Sequence, residues 1–337
     1  MNKFLRVEIT RRATDAYIVV KGRFRILDYN SGKTLYRGSR GLKGYVKPEE
    51  GGGISIANLS FKVDKLRISS KIPFMRIDNR DYRGDIVVSN KDGRLTLVNY
   101  ISLEDYTKGV LYHEASHFWP MEILKAQAIV VRTYAAYTAR MKSSSEFDLT
   151  ADVYSQIYGG ATSERARTNR AVELTRSLVL KFKGEIIPAF FHATCGGHTE
   201  DAGELWNINI PPLKGVVCPF CAGSPHFKWS KVIPLGEIQE ALNKNGIPVR
   251  EIKSITVLGK TSSGRCKTIL LKDKFKEYRL TAGEFRLFVG PNEIRSTNFS
   301  LKVEGGFANF DGFGWGHGVG LCQWGGYFMA KQGRSFK

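Results

Sequence analysis

Asn99-Tyr100-Ile101-Ser102-Leu103-Glu104-Asp105-Tyr106-Thr107-Lys108-Gly109-Val110-Leu111-Tyr112-His113-Glu114 is where the chain changes its period. Before this stretch, apolar residues fall near every second position. From Leu103 onward they return at helical spacing. Leu103, Tyr106, Val110 and Glu114 share one helical face, with Thr107 and Leu111 beside them. Ser102 stands where an N-cap belongs. A second helix is expected to start near Trp119-Pro120, because proline suits the first helical position. Ile123, Gln127, Val130, Tyr134, Tyr137 and Met141 then repeat on one face, and Ser143-Ser144-Ser145 closes the run.

Outward from this helical pair the chain reads mostly as strands. Residues 23–27 and 66–68 alternate apolar with basic, and residues 28–33 between strand-like runs read as a turn. Residues 85–89 and 94–98 flank Asn90-Lys91-Asp92-Gly93, a hairpin signal. Further on, residues 179–182 and 186–193 read as strands around Lys183-Gly184. Residues 235–245 read as a short amphipathic helix closed by Gly246, and residues 255–258 and 268–271 as a hairpin. Residues 312–326 carry seven glycines, which suits close backbone turns, and a last helix is expected from Tyr327. The predicted class is α+β: a β-rich mixed architecture with a helical pair carrying the candidate catalytic Glu and a glycine-rich C-terminal segment. The expected domains are a β-rich segment over 1–75 and a catalytic region over 76–337, with an inserted β subdomain at about 230–305.

The 337 residues allow about two domains. Hydrophobic residues at 42% and charged residues at 25% exclude wholesale disorder. Lys plus Arg outnumber Asp plus Glu by 51 to 32, a formal charge of +19 that favours an anionic partner. Nucleic acid, a membrane surface and a bacterial wall polymer all meet that description. Against nucleic acid, the basic residues are spread along the chain, and no helix-turn-helix, zinc-finger or RNP-type pattern occurs. No apolar run approaches eighteen residues, so no transmembrane segment is expected. The start, Met1-Asn2-Lys3-Phe4-Leu5-Arg6-Val7-Glu8, has no apolar h-region and does not read as a secretory leader.

Glu114 continues an apolar stripe, so helical geometry turns it inward or into a cleft. A carboxyl among apolar and aromatic groups has its charged form disfavoured, and its pKa rises toward what a general acid needs near neutral pH. The competing reading is a structural Glu that pairs with His113 or His117, or caps the next helix. On the second helix, Gln127 needs partners if it is buried, and Arg132 suits an acidic group. A satisfied core amide and a solvated surface charge are the alternatives. Trp315, His317, Gln323 and Trp324 interleave the glycines of the C-terminal run, and aromatic and polar side chains on tight loops suit sugar rings. A phosphate cradle fits less well, since no Gly-Lys-Ser/Thr follows.

These residues fall into blocks that resemble the stage II sporulation protein D family. The blocks are residues 99–110, His113-Glu114-Ala115, residues 119–128, Arg132-Thr133-Tyr134-Ala135, Ser155-Gln156-Ile157-Tyr158-Gly159, residues 191–200, residues 315–320 and Gln323-Trp324-Gly325. They stand in the family's order across about residues 80 to 337, whereas residues 1–70 fit only loosely. The resemblance implies a bacterial envelope protein acting on peptidoglycan. Characterised members are lytic transglycosylases that prefer glycan strands stripped of stem peptides, and others are described as amidase enhancers. The family's catalytic acid aligns with Glu114. In the implied mechanism Glu114 protonates the leaving glycosidic oxygen, then takes the proton of the sugar's own 6-hydroxyl as a 1,6-anhydro ring closes. Glu104, the other carboxylate on the same helix, is too far along it to serve as a second acid. Gln127, Arg132, Gln156, Tyr158, His317 and Gln323 are expected to line one substrate cleft around Glu114, and strand alternation assigns His192 to it. The expected partners are glycan strands and an amidase or other envelope complex. The expected location is the extracytoplasmic cell envelope, with a leader absent or removed from this chain. The alternative function is a non-catalytic wall-binding enhancer of an amidase.

The chain has five cysteines, and three of them are tightly spaced with one histidine: Cys195-x2-His198 and Cys218-x2-Cys221. Three sulfurs and one nitrogen suit a closed, structural zinc site. Disulfides from Cys195 to Cys218 or Cys221 are the alternative in an oxidising compartment. Cys266 and Cys322 read as bland core thiols. Some members of the resembled family bind zinc through Cys and His near the block aligned with residues 152–156. This chain has Ser155 and no Cys there, so that precedent does not carry over. No cofactor is expected for catalysis itself.

Overall fold

The structure is a computed structural model that describes residues 4–152 and 155–337. Val153 and Tyr154, part of the aligned block at 152–156, lie outside the described residues. The fold is mixed α+β, with strands in several sheets and seven helices among the described residues. It divides into two compact units, one ending at Pro188 and the other running Ala189–Lys337.

In the first unit a seven-stranded sheet runs in the order Leu149–Thr150, Leu5–Ala13, Arg94–Ile101, Asp85–Lys91, Lys65–Ser70, Phe24–Asp28, Thr34–Gly38. All its pairings are antiparallel except that of Leu149–Thr150 beside Leu5–Ala13. The central hairpin obeys its turn chemistry. Lys91 pairs with Arg94, leaving Asp92 (φ 53°) and Gly93 (φ 69°) as a two-residue loop with the left-handed backbone of a type I′ turn. The strand Lys65–Ser70 pairs with Asp85–Lys91, so one sheet runs straight through the domain boundary expected near residue 75. Residues 1–75 therefore share their sheet with strands that come after the expected boundary.

Three helices complete this unit: α1 (Leu103–Glu114), α2 (Met121–Met141) and α3 (Ala166–Leu174). Ser102 caps α1, its hydroxyl accepting from the Asp105 N–H at 3.1 Å. Pro120 occupies the N-cap of α2, one residue before the first-turn position expected for it. Leu111 and Ala115 pack on Leu124 and Ala128, with Ala171 and Val172 of α3 against both.

The second unit holds α4 (Ala202–Trp206), α5 (Leu235–Lys244), α6 (Ala282–Val289) and α7 (Gln323–Lys331). Two three-stranded antiparallel sheets, Lys228–Pro234 with Phe307–Phe313 and Phe299–Glu304, and Ser254–Lys260 with Cys266–Lys272 and Glu277–Thr281, enclose a core. That core is built on Trp229, Ile238, Ile269, Phe285, Phe299 and Phe310. A short parallel pair brings Phe191–His192 beside Leu321–Cys322, with His192 opposite Cys322. The last helix starts at Gln323, four residues before the expected start at Tyr327, because Cys322 serves as its N-cap.

Arg132 is fully buried among α1, α2 and α3. Its guanidinium donates to Glu104 of α1 through Nε (3.1 Å) and Nη2 (2.8 Å), and to the carbonyls of Val172 (3.2 Å) and Leu178 (3.1 Å). Glu104 also accepts from the Ser177 N–H at 3.0 Å. A buried charge deprived of its partner is costly. Arg132→Met should therefore destabilise the protein by about 3–5 kcal/mol in urea denaturation. Pairing it with Glu104→Leu should cost less than the sum of the two single changes. A loss below about 1 kcal/mol for Arg132→Met would show that the ion pair does not organise the helices.

Candidate active site and candidate metal centre

Glu114 is the last residue of α1, where the apolar stripe delivers it to a half-buried position. Burial pushes its carboxyl pKa up to about 7, and a hydrogen bond from the Ile157 N–H opposes the rise. The negative end of the helix dipole acts in the same direction as burial. Two turns back on the same face, the Tyr106 phenol donates to Gln156 Oε1 at 3.2 Å. Burial and then the charges of Tyr134 and Glu114 push that phenol up. The segment carrying Gln156 and Ile157 thus touches both the carboxyl and the tyrosine. A carboxyl that is half protonated near neutrality, oriented by a backbone N–H, can give and take a proton.

The structure sorts the other residues expected in this site. Arg132 meets an acidic group, as expected, but the acid is the protein's own Glu104. Tyr158 is fully buried, donates to Asn99 Oδ1 at 2.8 Å and packs on Tyr106 with ring centroids 5.1 Å apart. Gln127 is fully buried too, with neither amide atom hydrogen-bonded. All three are fully buried, so their side chains lie in the interior and not on an open surface. Gln156 is 2% exposed, its Oε1 accepting from Tyr106 and its Nε2 without a partner.

An aromatic surface lies close to Glu114 in sequence, at Tyr112, His117 and Phe118, which sequence reasoning missed. Tyr112, His117 and Phe118 contact one another, Phe118 is 80% exposed, and the Arg165 guanidinium sits 4.3 Å over the Tyr112 ring. The signal was present in Tyr112-x4-His117-Phe118, three rings flanking the candidate acid. His113 turns aside to Ser163, its Nε2 2.6 Å from the hydroxyl.

In the second unit His192 and His317 come together, ring centroids 5.6 Å apart. His192 is buried, with Nδ1 3.1 Å from the Val319 carbonyl and Nε2 unpartnered. His317 Nδ1 accepts from the Val319 N–H at 3.1 Å, and Trp206 lies against its ring at 5.0 Å. Burial drives His192 well below the ordinary histidine range and His317 down to about 4. Both imidazoles are therefore neutral near pH 7 and serve as hydrogen-bonding rather than cationic groups. Gln323 is buried at the first position of α7, next to the Cys322 that pairs with His192.

The cysteine cluster differs from its expected composition. The Sγ atoms of Cys195, Cys218, Cys221 and Cys322 lie within 4.8 Å of one another, and all four residues are buried. His198 is not among them; its Nδ1 is 2.6 Å from the Thr199 carbonyl. Cys322 takes the fourth place because the parallel pairing of Leu321–Cys322 with Phe191–His192 carries it to Cys195. The four sulfurs can hold a metal ion. Cys266 is separate, its thiol donating to the Phe299 carbonyl at 3.4 Å in the main core of the unit.

Glu114 generates a pH-dependent stability. Its folded pKa of about 7 lies above the ordinary 4.5, so the folded protein holds this proton more tightly than the unfolded chain. The penalty is absent below the unfolded value, grows as pH rises between the two, and is complete above about pH 7. Glu114→Gln should therefore leave stability nearly unchanged at pH 4 and raise it by about 2–3 kcal/mol at pH 8. Parallel denaturation curves at both pH values check this; equal effects at both would mean the carboxyl is not desolvated.

The chain has recognisable relatives. The family model described as stage II sporulation protein matches residues 91–182, and a domain of unknown function matches residues 221–320. An uncharacterized protein of Brachyspira hyodysenteriae is 34% identical over 259 residues, covering 76% of this chain and 69% of its own. The amidase enhancer of Bacillus subtilis is 28% identical over 274 residues, with 38% of its length matched. Stage II sporulation protein D of Bacillus amyloliquefaciens is 31% identical over 253 residues, covering 71% of each chain. The order of blocks from Asn99 to Gly325, the helical pair that presents Glu114 and this coverage agree: the chain belongs to the stage II sporulation protein D family.

Proposed function

We propose that this chain cleaves the glycan strands of bacterial peptidoglycan by lytic transglycosylation, with Glu114 as the single general acid and base. The observation that carries this reading is the carboxyl at the end of α1, raised by burial to a pKa of about 7 and held by the Ile157 N–H. The protonated carboxyl gives its proton to the glycosidic oxygen as the bond to N-acetylmuramic acid breaks. The resulting carboxylate then removes the proton of that sugar's 6-hydroxyl, whose oxygen closes on the anomeric carbon. Glu114 ends protonated, as it began, so one carboxyl serves both steps. Tyr112, His117 and Phe118 offer ring faces to the sugars. Gln156 and Ile157 are positioning residues.

The substrate class also suits the charge. A surplus of nineteen positive charges draws the chain to the carboxylates and anionic polymers of a wall. A pocket of about 390 Å³ in the first unit, lined by Arg23, Arg25, Arg37 and Lys71, is one place for such an anion. The chain is proposed to act in the cell envelope. Among the described residues no helix is long and apolar enough to cross a membrane. In this reading the cysteine centre holds structural zinc and takes no part in proton transfer.

Mass spectrometry of peptidoglycan after incubation with purified protein decides among the readings. Anhydro-muramic ends are expected. Reducing ends would mean hydrolysis, and released stem peptides only in the presence of an amidase would favour a non-catalytic enhancer. Glu114→Gln should lower kcat by at least about 100-fold while wall binding persists. Because the working form is protonated, the wild-type rate should fall as pH rises through about 7. A folded Gln variant that still cleaves would remove Glu114 from the chemistry.

A further inference from the structure

We propose that Cys195, Cys218, Cys221 and Cys322 hold one zinc ion as a closed tetrathiolate, and that the buried Arg265 guanidinium is its counter-charge. The site is independent of the glycan-cleaving reading. Four sulfurs about 2.3 Å from a zinc ion form a tetrahedron with edges of about 3.8 Å. The four Sγ atoms all lie within 4.8 Å of one another, and Cys195 and Cys221 are 3.4 Å apart. Small shifts bring them onto that tetrahedron. No ligand position remains for water or substrate, which marks the site as structural.

The surroundings favour thiolates. Cys322 Sγ accepts from the backbone N–H groups of Cys195 and Gly325, each at 3.3 Å. It also sits at the N-cap of α7, where the positive end of the helix dipole favours a negative sulfur. A Cβ on Gly325 would lie 2.9 Å from Cys218 Sγ and 3.2 Å from Cys322 Sγ, so glycine is what lets the helix close on the sulfurs.

The second, independent observation is Arg265. It is 1% exposed, its Nη2 donates to the Cys195 carbonyl at 2.9 Å, and its Nε and Nη1 have no partner. The charge of Arg265 also reaches Arg286, a partly buried guanidinium. The buried carboxylate that bears on Arg265, Glu200, spends its oxygens on the Thr261 and Ser263 hydroxyls and the Asp201 N–H. Arg265 is thus left in a dry site with no carboxylate hydrogen-bonded to it, which is costly without an anion. Zinc bound by four thiolates carries two negative charges, and Arg265 already touches the cluster through the Cys195 carbonyl. The apolar cluster at this point is otherwise small, the four cysteines with Phe220, Phe227 and Trp324 against them. Metal bonds would supply the cross-linking that a larger core supplies elsewhere.

The test is zinc stoichiometry and competition affinity on the full chain, purified with zinc under reducing conditions. One zinc per chain is expected, and stripping it with a chelator should lower the melting temperature. Cys322→Ser should weaken zinc by at least about 100-fold, whereas His198→Ala should leave it unchanged. The reverse pattern, or a folded wild-type chain that takes up no zinc, overturns the site. Cobalt substitution in the wild-type chain reads the number of thiolates directly, so the ligand set is decided even if Cys322→Ser fails to fold. Fewer than four thiolates overturns it. Arg265→Met should weaken zinc about 10- to 100-fold, and Arg265→Lys, which keeps the charge, should recover most of the loss. Equal affinity in wild type and a folded Arg265→Met variant, or no recovery by lysine, removes the counter-charge role.

Discussion

The Arg132–Glu104 ion pair is the interaction on which the first unit depends. A guanidinium with no exposure to water must have every favourable contact it can find. It finds them on two neighbouring helices and the segment after them: Glu104 near the start of α1, Val172 near the end of α3, and Leu178 just beyond. Once α1 is fixed at its first turn against α2, its last turn has little freedom. Leu111 and Ala115 lock onto Leu124 and Ala128, and Glu114 between them has one direction left. The two acids on α1 thus divide their labour by environment. Glu104 is saturated by the buried guanidinium and the Ser177 N–H. Glu114 has its carboxyl desolvated and its pKa raised.

The two units solve buried charge differently. In the first, the large buried cation is satisfied by an acid and by carbonyls of its own fold. In the second, Arg265 and Arg286 keep unpartnered donors inside the protein. Folded proteins seldom leave such groups unmade, because the desolvation cost is not recovered. The place where charge is left over is also the place where four cysteines converge. That coincidence, more than the cysteines alone, supports the proposed metal centre over a chance cluster of buried thiols.

Local rules were legible in the sequence and distant pairings were not. The α1 cap at Ser102, the turn at Asp92-Gly93 and the span of α5 depend on a few neighbouring residues, and the structure has them. The inward face of Glu114 was legible too, since it rests on helical period alone. Gln127, Arg132 and Tyr158 had the right chemistry for a cleft, but periodicity reports that a face is buried without saying how deeply. The fourth member of the cysteine cluster was beyond local reading for a related reason. Short spacing proposed His198, whereas the β-pairing of residues 191–192 with 321–322 supplied Cys322 from 101 residues past Cys221. The division into units was hidden because strands before residue 75 complete a sheet whose centre lies after it.

The glycine-rich run reads differently once its neighbours are known. Gly318 has φ 92°, and a Cβ there would lie 2.4 Å from Arg265 Nε, so the backbone passes directly over the guanidinium. Gly325 does the same over the sulfurs. The glycines of this stretch therefore serve the inside of the unit, where backbone must approach a buried charge and the cysteine sulfurs closely. The side chains between them serve other contacts. Trp315 lies edge-on to His226 at 4.7 Å with Arg295 4.9 Å above its ring, and His317 joins Trp206 and His192. Alternating glycine with Trp, His and Val lets the backbone lie close to the centre while the larger side chains pack against other parts of the unit. A side chain at Gly318 would disturb Arg265 first, and through the Cys195 carbonyl that Arg265 holds, the cysteine centre with it.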